Sequence, residues 1–202
     1  HFGTGDMGND GVHDIDYARW GLGVDTHPSL VSATGGKFFF DDDQQFPDTQ
    51  QVAFQYPGSG ATGDQKILMY EQRLWSTNYP HNVDSGAEFY GTKGQMFLSR
   101  RGKIAVYGER NRRIEVKVVP EAQNAEKHIK NFLHCVRSGQ TPNGDIELGH
   151  LTTSLCHLGN VATRLGRSFR FDPDAERVLG DPEADKVMSR PYRDHWGKPK
   201  GA

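Results

Sequence analysis

Ala87-Glu-Phe-Tyr-Gly91-Thr-Lys-Gly94-Gln-Met-Phe-Leu98-Ser-Arg-Arg-Gly102-Lys-Ile-Ala-Val-Tyr107 holds three short apolar runs separated by Gly-containing links of a few residues. Ala87 to Tyr90, Gln95 to Arg100 and Lys103 to Tyr107 read as strands by their aromatic and β-branched content and by the turn residues between them. A parallel pair needs a crossover of about a dozen residues or more, and these links are far shorter. The pairing here must therefore be antiparallel.

Working outward, Leu30 to Phe40, Thr49 to Tyr56, Lys66 to Trp75 and Arg113 to Val119 also read as β. Between two of them, Asp41 to Asp48 is acidic and polar and reads as a solvated loop. Helical periodicity appears only at the flanks. On the C-terminal side Ile129, Phe132, Leu133 and Val136 form one apolar stripe, ended by Gly139, and Leu151, Leu155, Leu158, Ala162 and Leu165 form another, ended by Gly166. The fold class expected is α+β: one domain over residues 1–202, with an open, mostly antiparallel sheet, both helices on one of its faces, and the other face left for oligomerisation. The alternating Val52, Phe54 and Tyr56 are the residues expected to meet a second copy. From Pro173 onward the chain is rich in Asp, Pro and Arg and reads as a tail that wraps the domain, reaches a neighbour or stays disordered.

The N-terminal flank carries the chemistry. In Gly5-Asp-Met-Gly-Asn9-Asp-Gly-Val-His13-Asp-Ile-Asp16-Tyr-Ala-Arg-Trp20 a helix capped by Asn9 or Asp10 and stopped at Gly21 or Gly23 places His13, Asp16, Tyr17 and Trp20 on one side. Val12, Ile15 and Leu22 then point to the core. An imidazole beside an amide and two carboxylates is a setting for proton transfer near neutral pH. Gly3-Thr-Gly5-Asp-Met-Gly8 spells G-x-G-x-x-G, but only two residues precede it, so the strand that must aim such a turn at a pyrophosphate is missing; it reads as a flexible lead-in, with no cofactor-binding residue.

Composition narrows the alternatives. A net charge of −2 leaves no electrostatic footprint for nucleic acid, and Arg100-Arg101 and Arg110 to Arg113 read as charged turns. No apolar run approaches the length of a membrane span. Two cysteines, Cys135 and Cys156, lack metal or redox spacing and read as buried thiols. His150, Ser154 and His157 share a helix face, but the two imidazoles stand two turns, about 10 Å, apart, too far for one ion, so no metal site is expected. His150 reads as the start of that helix and His157 as packed near the sheet. There is no Ser-His-Asp arrangement.

Asn9-x-x-x-His13-x-x-Asp16 followed by Arg19-Trp20, the Phe89-Tyr-Gly-Thr-Lys-Gly94 turn, His128-Ile-Lys-Asn-Phe-Leu133, Ser154-Leu-Cys-His-Leu-Gly-Asn160, and the ending from Phe171 through Arg177 to Ser189-Arg-Pro-Tyr192 occur in an order that resembles the C-terminal domain of the glucose-fructose oxidoreductase and inositol dehydrogenase family (Gfo/Idh/MocA). The ending is similar to a branch common in bacteria that degrade complex carbohydrates. The resemblance implies a substrate-binding and oligomerisation domain of an enzyme using NAD or NADP, with the cofactor on an N-terminal Rossmann domain absent from this chain. It implies His13 as acid and base, Asn9 orienting the hydroxyl, and a sugar, cyclitol or glycoside as the small-molecule substrate. Asp16, Trp75, Asn78, Tyr79, His81 and His150 are the remaining candidates for substrate contact. Two departures stand out. The family's Glu-Lys-Pro lysine is missing with the Rossmann half, and Asn9 replaces the usual aspartate; an amide holds a hydroxyl but takes up no proton. The alternatives are a non-catalytic carbohydrate-binding module that assembles, or a part of an NAD-dependent enzyme that cleaves glycosides through a keto-sugar. No cofactor is expected on this chain alone. The compartment is left open.

Overall fold

A computed structural model describes residues 3–61, 63–118 and 124–189. Two antiparallel sheets carry the fold. The larger has five strands in the order β3-β2-β1-β8-β9, formed by β1 (Leu30–Gly36), β2 (Thr49–Tyr56), β3 (Lys66–Arg73), β8 (Phe169–Asp172) and β9 (Arg177–Leu179). The smaller, β4-β5-β6-β7, joins β4 (Ala87–Gly91), β5 (Gly94–Leu98), β6 (Ile104–Tyr107) and β7 (Arg113–Ile114). The open antiparallel architecture read from the short links is present, divided between two sheets.

The helices are α1 (Gly5–Asn9), α2 (Gly11–Leu22), α3 (Ala125–Ser138), α4 (Ile146–Leu165) and α5 (Pro182–Val187). α4 lies on the larger sheet, inserting Leu155, Leu158 and Ala162 against Val31, Val52, Phe54 and Tyr56 in one buried cluster. The approach is close because Gly159 carries no side chain. A Cβ there would stand 2.7 Å from the Met7 terminal methyl and 3.2 Å from a Val52 methyl. α2 contributes Ile15 to the same core and touches α4, β3 and β4, so it joins the two sheets. Gly21 sits inside α2, where a Cβ would meet the Phe89 ring at 2.4 Å; the helix stops instead at Gly23, in the left-handed region at φ 65°.

Several expectations are corrected. Val52, Phe54 and Tyr56 are buried within the one subunit under α4, so they are core residues; alternation separates the two faces of a strand but does not say which one a helix covers. On the outward face Ile67 and Met69 of β3 are exposed instead. α3 forms where its periodicity places it, but Ile129, Phe132, Leu133 and Val136 are all exposed, so it does not lie on the sheet beside α4. The stretch Gly3 to Gly8 is no flexible lead-in. Met7 is fully buried and its carbonyl accepts the Cys156 thiol at 3.3 Å, which fixes α1 as a short helix that breaks at Asp10. Phe169–Asp172 and Arg177–Leu179 extend the sheet and α5 follows, so the chain past Pro173 is structured through Ser189; Arg190 to Tyr192 lie outside the described residues. The run from Arg113 pairs over only two residues, and Val119 is also outside the described set.

Candidate functional site

The first strand ends early, and the reason shapes the site. Phe38, Phe39 and Phe40 do not continue β1; their backbone N–H groups all donate to the carboxylate of Asp48, at 2.9–3.1 Å, and Thr49 Oγ1 donates to it at 2.8 Å. Asp48 is 1 % exposed, so it is no member of a solvated loop. Burial works against its charge, but the three amides and the hydroxyl outweigh that and hold its pKa well below the usual carboxylate range. One carboxylate thus wraps an aromatic loop round the end of β1 and β2. Phe39 in turn stacks on Trp75, with ring centroids 5.7 Å apart, and Trp75 Nε1 donates to Thr49 Oγ1 at 2.9 Å.

Because the folded-state pKa of Asp48 is depressed, its contribution is complete above the unfolded value of about 4 and is lost as pH falls through the folded value. Asp48→Ala is expected to lower the melting temperature by roughly 5 °C or more at neutral pH. The gap between variant and wild type should shrink in strong acid. Calorimetry at neutral and acid pH checks both, and an equal melting temperature at neutral pH would contradict this role.

Beside this loop is a cleft of about 520 Å³ between α1 and the segment before β2, lined by Gly3, Gly5, Asp6, Asn9, Asp43 to Phe46 and Leu74. Gly5, one of its lining residues, sits at φ 66°, where a Cβ would collide with Phe46 at 2.6 Å. Asn9, exposed at the end of α1, lines the cleft, and His13 stands exposed one turn into α2. Asp6, Asp10 and Asp14 follow one another at helical spacing along this edge. Burial, then the charge of Asp10, raises the Asp6 pKa; burial chiefly raises that of Asp14, which accepts the Tyr17 hydroxyl. Arg100 forms an ion pair with Asp10. Of these carboxylates Asp14 feels the charge of His13, and both Asp6 and Asp14 are held less readily ionised than in water.

The other candidates separate into groups. Asp16 accepts the Thr152 hydroxyl at 2.7 Å and lies 3.7 Å from Arg19, whose guanidinium, 2 % exposed, also donates to Thr152 Oγ1 and to the Val24 carbonyl. Trp75 follows Leu74 of the cleft wall, whereas Asn78 and Tyr79 are exposed in the link that follows. His81 is turned to the smaller sheet, bonded to Glu88 and stacked on Phe97 at 3.9 Å. His150 is not the helix start, since Asp145 is the N-cap residue of α4, and it meets Glu176 and His27 rather than the cleft. His157 is exposed on α4 and is not packed near the sheet. Arg101 pairs with Asp84. Both cysteines are free and buried, and burial pushes the Cys156 thiol up to about 12. The cleft wall from Asp43 to Phe46 and the Asp48 clasp were not legible in the sequence, because nothing local distinguishes Asp48 from Asp41, Asp42 and Asp43.

This helix-led arrangement of two antiparallel sheets is an open α+β fold. The chain belongs to the oxidoreductase family described as the Gfo/Idh/MocA C-terminal alpha/beta domain, whose model matches residues 1–198. Among solved structures it is similar to the WlbA dehydrogenase of Bordetella pertussis, solved with NADH and UDP-GlcNAcA (17 % identity, TM-score 0.54, 83 % of this chain and 45 % of that one). It is also similar to the UDP-N-acetylglucosamine 3-dehydrogenase GnnA of Acidithiobacillus ferrooxidans (15 %, 0.53, 76 % and 46 %). A third is levoglucosan dehydrogenase, solved with NADH and L-sorbose (13 %, 0.55, 85 % and 51 %). At these identities the likeness is one of fold, and the chain spans about half the length of these structures. No curated protein sequence matches significantly. Among the described residues no helix is long and apolar enough to cross a membrane.

Proposed function

We propose that this chain is the substrate-binding and acid-base half of an NAD(P)-dependent oxidoreductase acting on a hydroxyl of a sugar, cyclitol or glycoside. The observation that carries the proposal is the cleft itself: Asn9 lines it, an exposed His13 follows four residues on, and Leu74 of its wall leads directly into Trp75, which stacks on Phe39. Asn9 presents an amide that both donates to and accepts from a hydroxyl, which fixes the reacting oxygen. His13 then takes that hydroxyl proton as the carbon is oxidised, and returns it when a ketone is reduced. Asp16, tied to Thr152 and Arg19, holds α2 against α4 so that His13 keeps its place. Trp75 offers an apolar ring to the face of a pyranose, with Asn78 and Tyr79 in the next turn able to meet its hydroxyls.

The residues present do not fit a dinucleotide. The G-x-G-x-x-G stretch runs into α1, whose Met7 is buried and whose Gly5 rests on Phe46, with no strand among the described residues to aim it. The nicotinamide, which supplies the hydride chemistry, is assigned to a cofactor domain outside these residues. The 202-residue chain is accordingly expected to bind neither NAD nor NADP in a calorimetric titration. Micromolar binding would make Gly3 to Gly8 a real site and overturn this assignment. Assembly belongs to the same proposal: a second copy is placed on the outward face of the larger sheet, over Ile67 and Met69. Light scattering is expected to report a dimer or larger, and a monomer at tens of micromolar would contradict it.

A further inference from the structure

At the end of the larger sheet remote from the cleft, three elements bring His27, His150 and Glu176 together. His27 lies in the link from α2 to β1, His150 in the second turn of α4, and Glu176 in the turn between β8 and β9. The length of β1, about 20 Å at 3.3 Å per residue, separates this cluster from the Asp48 clasp. His27 Nε2 lies 3.1 Å, and His150 Nε2 2.8 Å, from the same oxygen, Glu176 Oε1. Ligand-capable atoms of the three side chains all lie within 4.8 Å of one another. The two imidazoles stand edge to face, their planes at 90°, so they aim at one point from different directions.

We propose that His27, His150 and Glu176 form a binding site for a divalent cation of the Zn²⁺ class. The donor set decides the class. Two imidazole nitrogens and one carboxylate oxygen suit a borderline-soft cation, whereas calcium and magnesium take oxygen ligands. Around a tetrahedral zinc with bonds of about 2.0–2.1 Å, ligand atoms stand about 3.3 Å apart. The two nitrogen–oxygen contacts therefore need to open by only a few tenths of an ångström. In the metal-free chain both Nε2–H groups donate to one carboxylate oxygen; to ligate, each neutral imidazole presents the Nε2 lone pair to the cation with its proton carried on Nδ1 instead.

The frame is already fixed in part. His27 is 4 % exposed and its ring packs edge-on against Phe171 at 5.8 Å, so it has little room to swing. Glu176 is held at φ 52°, a left-handed position that non-glycine residues occupy at a cost, and it presents its carboxylate to both rings. Nδ1 of His27 is buried with no hydrogen-bond partner among the described residues, so only Glu176 fixes its tautomer. Metal-binding histidines usually have that second nitrogen held, and its absence points to micromolar rather than nanomolar affinity. His150 and Glu176 are half exposed, which leaves the fourth position to water. A bound ion would pin the β8–β9 turn and the start of α4 to the entry of β1. This assigns His150 to the cation rather than to the sugar, and it stands independently of the cleft chemistry.

The test is calorimetric titration of the tag-free chain with Zn²⁺ at neutral pH, paired with thermal melts. One ion per chain is expected, with a dissociation constant of the order of micromolar. At a hundredfold excess over that constant the melting temperature should rise by roughly 5–10 °C. His150→Ala and Glu176→Gln, both at exposed positions, should abolish the binding and the shift while keeping the far-UV circular dichroism. His157→Ala, on the same helix, should keep both. No binding by the wild type would overturn the proposal, since the cluster would then be a hydrogen-bonded clasp alone. Binding that survives His150→Ala and Glu176→Gln would overturn it equally.

Discussion

His13→Ala, made in the full-length parent enzyme, is expected to reduce turnover by about two to four orders of magnitude, the range that general acid-base catalysis supplies. The side chain is exposed near the start of α2, four residues after the cleft-lining Asn9, and the helix is held by other residues: Ile15 in the core and Arg19 on Thr152 and the Val24 carbonyl. Removing the imidazole therefore takes away no buried contact. Melting temperature should stay within about 1–2 °C of wild type and cofactor affinity should be unchanged. Asn9→Ala should cost less, because it removes orientation and not the proton acceptor, and Asn9→Asp, restoring the family's usual residue, should be tolerated. Turnover per folded molecule separates this from a structural role. A structural histidine would lower stability first and leave the surviving molecules active.

Phe54→Ala is expected to destabilise the domain by about 3–5 kcal/mol, as for large-to-small changes in a packed core. Phe54 has no exposed surface and sits at the centre of β2, under Leu155 and Leu158 of α4. For a domain of this size the loss corresponds to a fall of roughly 6–20 °C in melting temperature. The shift should not depend on protein concentration, because the lost contacts lie within one subunit. A variant that keeps its melting temperature and instead shifts an oligomer towards monomer would return Phe54 to an interface. Met69→Ala on the outward face should do the reverse, weakening any assembly with little effect on the fold.

The contrast between these two strands shows what the sequence made legible. Links of a few residues between Ala87 and Tyr107 left only antiparallel pairing, and the observed register agrees, with Phe89 opposite Met96 and Phe97 opposite Ala105. Helical spacing sorted Ile15 from His13 on α2 in the same local way. What depended on distant partners was not legible. Phe38 to Phe40 have strand-like composition, and it takes a carboxylate eight to ten residues on to turn their amides away from a ladder. The Ile129 to Val136 stripe specifies a helix with an apolar side, but a stripe does not name what covers it. β8 and β9 are short and broken by Asp and Pro, so they pair only because β1 offers a free edge. His27, His150 and Glu176 are separated by more than a hundred residues at the widest, and no local spacing unites them.

The most direct measurement of the central claim is a single-turnover mixing experiment. The full-length parent, saturated with NAD or NADP, is mixed with each member of a panel of sugars, cyclitols and glycosides while nicotinamide reduction is followed by absorbance. This registers the oxidation step whether the keto product is released or goes on to cleavage. A burst of reduced nicotinamide with at least one carbohydrate is predicted, slowed about a hundredfold or more in a well-folded His13→Ala enzyme. A burst of equal rate in that variant, or no reduction with any member of the panel, would contradict the account.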